Sequence, residues 1–333
     1  MYDYKKAKKN YLIIDFNQII YQSLFALRKN EKDANIMDEV RIGGKVELRM
    51  KDEAFDNQFR NYFWNTMLGI VGRFKDLKQV IICQERSSWR KEVFPHYKYK
   101  RKTGKTADTF DWRHFFNKIK TFEMDEVNAL APFVPMKVER CEGDDVIGVL
   151  ATALSQEYPN STIYIHSSDK DFIQLLKFEN VKLYSPLKRK FTYATNPKNE
   201  LLALILLGDL ADGIPNIFNK DDAYVNPIIN EKTGKKLRSA PLGDKKVRKA
   251  ISENNVYQSL INTPERQQRF DQNQMLIDLE KIPMDVKKSV IEEYKNQVEN
   301  LKKKSPAALQ RYLIMNGLQQ VSHSLPKILH LFV

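Results

Sequence analysis

Residues 11–16 read YLIIDF, in which four large apolar or aromatic residues precede a single aspartate. A continuous apolar run of this length indicates a strand that is buried on both faces of a sheet. Three further short runs have a similar character: QVIICQ (79–84), STIYIHSSD (161–169) and VKLYSP (181–186). These runs predict the strands of one central sheet, with Asp15 at the end of the first.

Longer segments with apolar residues three and four positions apart separate these runs and predict helices. The clearest cover residues 54–74, 112–133 and 144–158. This alternation is typical of an α/β protein with a mostly parallel, doubly wound sheet. Strand patterns fade after about residue 197, so we predict an α/β domain over residues 1–197 and a helical domain over residues 198–333.

The charge of the chain predicts an anionic partner. Its 333 residues include 55 Lys and Arg against 42 Asp and Glu, a formal net charge of +13. Nucleic acid is favoured over a membrane, because no apolar run reaches about 18 residues and the first ten residues, MYDYKKAKKN, lack an apolar signal region. Cys83 and Cys141 suggest neither a zinc cluster nor a disulfide framework. We expect a cytoplasmic monomer.

Acidic residues occur where predicted strands or turns end. In an open parallel sheet the carboxyl ends of the strands form one edge, and ligands bind there. Several carboxylates without clustered His or Cys favour Mg²⁺ or Mn²⁺, and two such ions about 4 Å apart can hydrolyse a phosphodiester. The candidate metal ligands are Asp15, Glu142, Asp144, Asp145, Asp169, Asp171, Asp209 and Asp212.

Each of these residues also has a simpler interpretation. Asp144 or Asp145 would cap the helix that follows by accepting hydrogen bonds from its free backbone amides. The acidic residues of SSDKDF (167–172) and LGDLADGIP (207–215) would be turn residues. Asp15 differs, because a charge at the end of a buried strand requires a partner or a metal. The joint occurrence of these residues favours the metal site.

Five ordered motifs carry a resemblance to a known family: LIIDF (12–16), WRKEVFPHYKYKR (89–101), CEGDDVIGVL (141–150), SSDKDF and LGDLADGIPNI (207–217). From about residue 10 to 315 the chain resembles the 5'-nuclease superfamily, which includes flap endonucleases and the 5'-exonuclease domain of bacterial DNA polymerase I. The segment RFDQNQMLIDLEKIP (269–283) is most similar to the T-even phage ribonuclease H branch. The resemblance implies a PIN-like nuclease core and a helical domain with a helix-three-turn-helix.

The resemblance also implies roles for the matched residues. The more tightly bound metal would be held by Asp15, Glu142, Asp144 and Asp169, and the second by Asp171, Asp209 and Asp212. Residues 90–110 would form a basic arch over the active site, in which phosphate would contact Arg90, Lys98 and Arg101, and Tyr97 would stack on a base. Further DNA contacts would come from Lys100, Lys102, Lys105, Gly208, Gly213 and Ile214, with a K⁺ ion in the helix-three-turn-helix.

One position departs from the family pattern. The second predicted strand ends in Gln84, where the family carries an aspartate, and an amide oxygen binds a divalent cation more weakly than a carboxylate does. Glu85, one residue further on, is a candidate substitute. An engineered change at position 84 is the other interpretation that the sequence leaves open.

The sequence therefore favours a Mg²⁺-dependent 5' to 3' exonuclease and flap endonuclease. It would act on RNA–DNA and DNA duplexes and remove RNA primers during phage-type lagging-strand replication. The alternative is a catalytically weakened protein that binds branched DNA, and a PIN-type single-strand ribonuclease and a phosphatase are more distant. Single-strand binding protein and a sliding clamp are possible partners, and residues 324–333, SLPKILHLFV, would either dock on a clamp or pack on the last helix.

Overall fold

The computed structural model describes residues 9–30, 32–99, 109–225, 240–301 and 303–332. Six strands form one sheet in the order β5-β4-β1-β6-β7-β8, and β2 and β3 form a separate hairpin. The strands are β1 (Asn10–Asp15), β2 (Met37–Ile42), β3 (Lys45–Met50), β4 (Leu77–Cys83), β5 (Phe133–Met136), β6 (Ile163–His166), β7 (Val181–Ser185) and β8 (Lys190–Thr192).

Helices surround the sheet. The α-helices are α1 (Phe16–Asn30), α2 (Asp33–Ile36), α3 (Asp52–Ala54), α4 (Arg60–Val71), α5 (Arg90–Val93), α6 (Trp112–Phe122), α7 (Asn128–Leu130), α8 (Gly143–Glu157), α9 (Pro197–Leu207), α10 (Asp244–Ser252), α11 (Val256–Ser259), α12 (Pro264–Ile277), α13 (Met284–Glu299), α14 (Pro306–Met315) and α15 (Gln319–Ser322). Two π-helical segments cover Phe55–Phe59 and Glu123–Val127, and 3₁₀ helices cover Lys170–Lys177, Leu279–Lys281 and Leu325–Leu331.

The predicted doubly wound sheet is confirmed. β1 pairs in parallel with β4 on one side and with β6 on the other, β5 and β7 extend the parallel sheet, and β8 is antiparallel. Strand order therefore reverses at β1, and the crevice at the carboxyl end of such a switch point is where open α/β sheets bind ligands. Asp15 lies at this point, level with Cys83 of β4.

Two features of the first 140 residues differ from the pattern of the sequence. The helix predicted over residues 112–133 ends at Leu130, and Phe133 begins β5. This strand has only four residues and contains Pro135, which is tolerated because β5 is an edge strand. The β2–β3 hairpin was not predicted, although Gly43 and Gly44 have the positive φ that a tight hairpin turn needs.

Three apolar clusters stabilise the fold. Alternate residues of β1 point to opposite faces, so Leu12 and Ile14 join one cluster while Tyr11 and Ile13 join the other. The third cluster lies among α9 to α12 and includes Phe94 and Tyr97. The chain after residue 278 returns to the sheet, where α13 packs on the Ile13 face and α14 on the Leu12 face. The division at residue 197 stays a prediction.

The C-terminal segment packs within the protein. Leu325, Ile328 and Phe332 are buried in the cluster that contains α1 and α4. Packing against the rest of the chain therefore fits the structure, although the contacts include α4 and not only the last helix, and docking on a clamp stays a prediction. Within the described part of the chain, every helix is too short or too polar to cross a membrane.

His166 supports a prediction about stability and pH. Its imidazole is buried at the end of β6 and stacks on Tyr184, and burial lowers its pKa to about 4. A histidine in the unfolded chain titrates near pH 6.5. The contribution of the buried neutral imidazole to folding stability is therefore fully present above pH 6.5 and is lost as the pH falls from that value towards 4. His166→Phe is expected to lessen the acid-induced loss of stability by up to about 3 kcal/mol at pH 4.

Urea unfolding at pH 7.5, 5.5 and 4 measures this difference. The exposed His323 gives the control His323→Gln, which is expected to follow the unmutated chain at each pH. A His166→Phe curve parallel to that of the unmutated protein would show that the buried imidazole does not set the acid sensitivity.

Candidate active site

A cleft of about 540 Å³ opens at the carboxyl edge of the sheet. Asp15 lies at its base, where the carboxylate accepts hydrogen bonds from the backbone N of Gln18 at 3.1 Å and from Ser167 Oγ at 3.3 Å. Six residues that the sequence predicts for the site line this cleft: Asp15, Glu85, Lys98, Glu142, Asp144 and Asp169.

The start of α8 contributes three acidic residues with different environments. Asp144 lines the cleft. Glu142 is buried and precedes the helix in extended conformation, and its backbone N donates to Asp145 Oδ2 at 3.0 Å. Asp145 thus has the helix-capping role that was its simpler interpretation, and the structure does not bring it into the cleft. Its Oδ1 instead lies 2.8 Å from Arg90 Nη1.

Asp169 and Asp171 follow β6 at the start of a 3₁₀ helix. Asp169 Oδ1 accepts a hydrogen bond from the backbone N of Asp171 at 2.9 Å, as a residue that caps a helix does. Asp169 also lines the cleft, so capping and a place in the site coexist. Lys170, between the two, forms an ion pair with Asp209 at 3.1 Å.

Asp209 and Asp212 lie in the turn that follows α9. Asp209 Oδ1 accepts from the backbone N of Ala211 at 2.7 Å, and the backbone of Asp209 bridges to Ile214. Gly208 begins this turn with a φ of 68°, and a Cβ there would lie 2.4 Å from the carbonyl oxygen of Ile214. The turn therefore requires glycine at position 208. A helix-three-turn-helix and a K⁺ ion at this place stay predictions.

Gly213 and Ile214 complete the same turn. Gly213 has a φ of 75°, and a Cβ there would lie 3.0 Å from the carbonyl oxygen of His96. Ile214 is buried in the third cluster. Their predicted contact with DNA would therefore have to come from the backbone and stays a prediction.

Tyr97 is placed differently from its predicted role in base stacking. Its ring is 4% exposed and belongs to the third apolar cluster. The hydroxyl lies 2.7 Å from Glu142 Oε2 and 2.9 Å from Asp212 Oδ2, so it links α8 to the turn after α9. Burial and both carboxylates raise the pKa of Tyr97, which keeps it a neutral donor. A buried ring has no free face for a base, and this part of the prediction is corrected.

The predicted role of Arg90 as a direct phosphate contact is also corrected. Its side chain is buried, with 4% of the residue exposed, and Nε donates to the carbonyl oxygen of Leu276 at 2.7 Å. Nη1 lies 2.8 Å from Asp145 and 3.2 Å from Glu142. The guanidinium therefore pairs with two buried carboxylates, and its removal would raise the free energy of the folded protein by leaving buried charge unpaired.

Lys98 reaches the cleft and meets Glu142 there. Its Nζ forms an ion pair with Glu142 Oε1, and its backbone N donates to the carbonyl oxygen of Asp212 at 2.7 Å. Burial raises the pKa of Glu142, but Lys98 and Arg90 outweigh it and keep the pKa below its usual value. The remaining predicted arch residues, Lys100, Arg101, Lys102 and Lys105, lie outside the described residues.

Gln84 and Glu85 occupy different environments. Gln84 is 3% exposed, is not part of the cleft lining, and its Nε2 is buried without a hydrogen-bond partner among the residues that the structure describes. Glu85 is exposed, lines the cleft, and accepts a hydrogen bond from Asn17 Nδ2 at 3.3 Å. Its charge contributes to raising the pKa of Asp15. A carboxylate one residue after position 84 thus lines the cleft, and its role as the missing ligand stays a prediction.

Crowding of carboxylates gives the site its electrostatic character. Burial, assisted by Asp169 and Glu85, raises the pKa of Asp15 to about 6. Burial and the neighbouring acidic groups raise the pKa of Asp171 to about 8 and that of Asp144 well above its usual value. Repulsion among these acidic groups would be relieved by a bound cation.

The cleft offers carboxylate oxygen atoms as donors for a divalent ion. In the ranges that the structure describes, no three carboxylate, imidazole or thiolate groups are close enough to enclose one ion. Mg²⁺ requires fewer protein ligands than this, since it usually keeps several waters and binds one or two carboxylates together with substrate phosphates. Oxygen donors at the cleft, with repulsion among them, fit a hydrated cation of this kind.

Several cleft residues were not predicted from the sequence: Asn17, Gln18, Tyr21, Phe116 and Ser167. Tyr21 is 37% exposed and contacts Phe25, Trp112 and Phe116 with ring centroids 5.5–6.1 Å apart. The helical spacing of Asn17, Gln18 and Tyr21 after Asp15 is a signal that would have placed them on the first turns of α1, next to the strand end.

Comparison with known proteins bears on these observations. A family model described as 5'-3' exonuclease, N-terminal resolvase-like domain, matches residues 10–201, more than half of the chain. The chain belongs to this 5'-3' exonuclease family. A second model, described as T4 RNase H, C terminal, matches residues 196–328. The resemblance predicted from the five motifs is thereby confirmed, and a nuclease function follows from the family.

The chain is 26% identical over 325 residues to the ribonuclease H of Enterobacteria phage T4, covering 96% of this chain and 95% of that protein. It is 27% identical over 158 residues to a 5'-3' exonuclease of Buchnera aphidicola subsp. Acyrthosiphon pisum, covering 44% of this chain and 51% of that protein.

Among solved structures, the T5 5'-exonuclease with bound zinc superposes with a TM-score of 0.58 at 16% identity, covering 88% of this chain and 100% of that one. A T5 D15 flap endonuclease in a complex with DNA and metal ions gives the same TM-score and identity, covering 88% and 99%. At this identity, the likeness shows a shared fold.

Proposed function

We propose that this nuclease hydrolyses phosphodiester bonds at the 5' ends and flaps of DNA and RNA–DNA duplexes, and that it removes RNA primers in phage-type lagging-strand replication. The observation that carries the proposal is the convergence of carboxylates from β1, α8 and the segment after β6 in one cleft. Solved relatives with bound metal ions, one of them with DNA, support the same substrate class.

Each acidic segment has a part in this proposal. Asp15, Asp144 and Asp169 would face one hydrated divalent cation, Mg²⁺ or Mn²⁺, in the cleft, with one or two of these carboxylates bound directly and the rest through water. Asp171, Asp209 and Asp212 would bind a second hydrated cation in the same way. When bound, the two cations would supply Lewis-acid stabilisation of the phosphodiester oxygens during attack by water.

Charged and aromatic residues around the cleft would position the substrate. The Lys98 ammonium, held by Glu142, places a positive charge on the cleft wall for a phosphate. The Tyr97 hydroxyl and Arg90 Nη1 both donate hydrogen bonds to Glu142 Oε2, so these two residues would hold the Glu142 side chain in position. Tyr21, half-exposed and flanked by Phe116, offers an aromatic face for a terminal base, the role that buried Tyr97 cannot fill.

Loss of single carboxylates tests the metal-dependent mechanism. Asp144→Asn and Asp171→Asn are each expected to slow cleavage more than about 100-fold, because each removes a charge that would hold a cation. DNA binding is expected to persist. The assay uses a 5'-flap duplex and an RNA–DNA hybrid, each labelled at either end, with Mg²⁺ or with EDTA.

The matched control is Asp38→Asn, which removes an exposed carboxylate on the β2–β3 hairpin. This variant is expected to cleave at the unmutated rate. Full activity in both Asp144→Asn and Asp171→Asn would refute the mechanism. Binding without Mg²⁺-dependent products in the unmutated chain would favour the weakened, binding-only alternative.

Glu85 and Gln84 can be separated by a paired exchange. If Glu85 substitutes for the missing aspartate, Glu85→Gln is expected to lower the cleavage rate at low Mg²⁺ by about tenfold. Gln84→Asp is expected to leave that rate unchanged, because position 84 is buried away from the cleft lining. The measurement is cleavage of the 5'-flap duplex over a Mg²⁺ titration, and a gain from Gln84→Asp would return the role to position 84.

A further inference from the structure

Lys170 lies between Asp169 and Asp171 in the sequence, and its ammonium group forms an ion pair with a third acidic residue, Asp209. Its Nζ lies 3.1 Å from Asp209 Oδ2. Burial raises the pKa of both Asp169 and Asp171, and the nearby charge of Lys170 opposes that rise. The ammonium is therefore paired with one of the three acidic side chains proposed for the second cation.

The surroundings of Lys170 allow this ammonium to leave. The side chain is 52% exposed, and its backbone is fixed at the start of the 3₁₀ helix by the hydrogen bond between Asp169 and Asp171. A lysine stem has four rotatable bonds, so the head group can move into water while the helix stays in place. Departure of Nζ would leave the oxygen atoms of Asp209 without this partner.

We propose that the Lys170 ammonium occupies the second cation position when no metal is bound there, and that the second metal must displace it. The inference rests on the proposed function, which places a second cation among Asp171, Asp209 and Asp212. Lys170 is then a positioning residue that keeps the acidic side chains together in the absence of metal and weakens the second binding step by competition.

Metal binding without nucleic acid tests this competition. Mn²⁺ is titrated into the full chain and free Mn²⁺ is measured by electron paramagnetic resonance, with no substrate present. Lys170→Met removes the competing charge and is expected to tighten the weaker Mn²⁺ step by about fivefold, the upper range for a half-exposed ion pair. Lys170→Arg retains a cation and is expected to keep weak binding.

Lys177 provides the matched control. It lies on the same 3₁₀ helix, is 22% exposed, and forms an ion pair with Glu280 at 2.6 Å, away from the acidic group. Lys177→Met is expected to leave both Mn²⁺ steps unchanged, which separates displacement from a general loss of positive charge. Thermal unfolding verifies that each variant is folded, and Lys170→Gln serves as a second neutral replacement.

The outcomes distinguish this inference from the proposed function. Two Mn²⁺ steps with a tightened second step support the competition, even if no flap substrate is cleaved. Mg²⁺-dependent cleavage together with an unchanged or weakened second step in Lys170→Met overturns the competition and leaves the proposed function standing. A single Mn²⁺ step in every variant also overturns it, because no second position would exist for Lys170 to occupy.

Discussion

Arg90→Met is expected to lower the free energy of unfolding by about 3–5 kcal/mol, since removal of one partner of a buried ion pair leaves an uncompensated charge. Here two carboxylates, those of Glu142 and Asp145, would lose their guanidinium inside the protein. The carbonyl oxygen of Leu276 would lose a donor as well. Urea unfolding monitored by circular dichroism measures the change.

Arg140→Met is the matched control, because Arg140 also contacts two acidic residues, Glu92 and Asp285, but at the surface. Ion pairs in water add little to stability, so this variant is expected to remain close to the unmutated protein. If Arg90→Met has normal stability but binds DNA poorly, the result would support the direct phosphate contact that the sequence predicts for Arg90.

Gly208→Ala is expected to lower the free energy of unfolding by about 3 kcal/mol or more. The new Cβ would lie 2.4 Å from the Ile214 carbonyl oxygen and 2.5 Å from that of Pro215, and both contacts are with backbone. Relief requires movement of the turn that carries Asp209 and Asp212, so cleavage is expected to fall together with stability. Thermal unfolding and the 5'-flap assay are the two measurements.

Gly69→Ala tests whether glycine replacement alone has this effect. Gly69 lies in α4, and a Cβ there would meet no atom of another described element within 4 Å. Alanine favours a helix over glycine by about 0.5–1 kcal/mol, so this variant is expected to be slightly stabilised. A Gly208→Ala protein as stable as Gly69→Ala would show that the turn accommodates a side chain without strain.

The ends of the buried strands were the most predictable part of the site. The sequence predicts that Asp15, after Leu12–Ile14, and Asp169, after the run that forms β6, lie at one sheet edge, because parallel strands end on the same side. Both line the cleft. The four-residue β5 was not predicted, since a short strand with an internal proline lacks a distinctive pattern.

Residues between secondary-structure elements were less predictable. Arg90 and Tyr97 stand in a basic segment that resembles a substrate-binding arch, yet both are buried against Glu142. No local pattern reveals this, because their shared partner, Glu142, lies 52 residues from Arg90 and 45 residues from Tyr97 in the sequence. The same holds for Glu85, whose exposure next to Asn17 depends on the packing of α1 beside β4.

The sequence by itself determined the fold class, the family and most of the acidic residues of the site, because strand burial and residue order are local properties of the chain. Tertiary structure decided which charged groups face the cleft and which neutralise one another inside the protein. That choice depends on burial and on distances between distant segments, and the free energy of a charge changes with both. Asp144 and Asp145 illustrate the difference: neighbours in sequence, they begin the same helix, but one faces the cleft and the other pairs with Arg90.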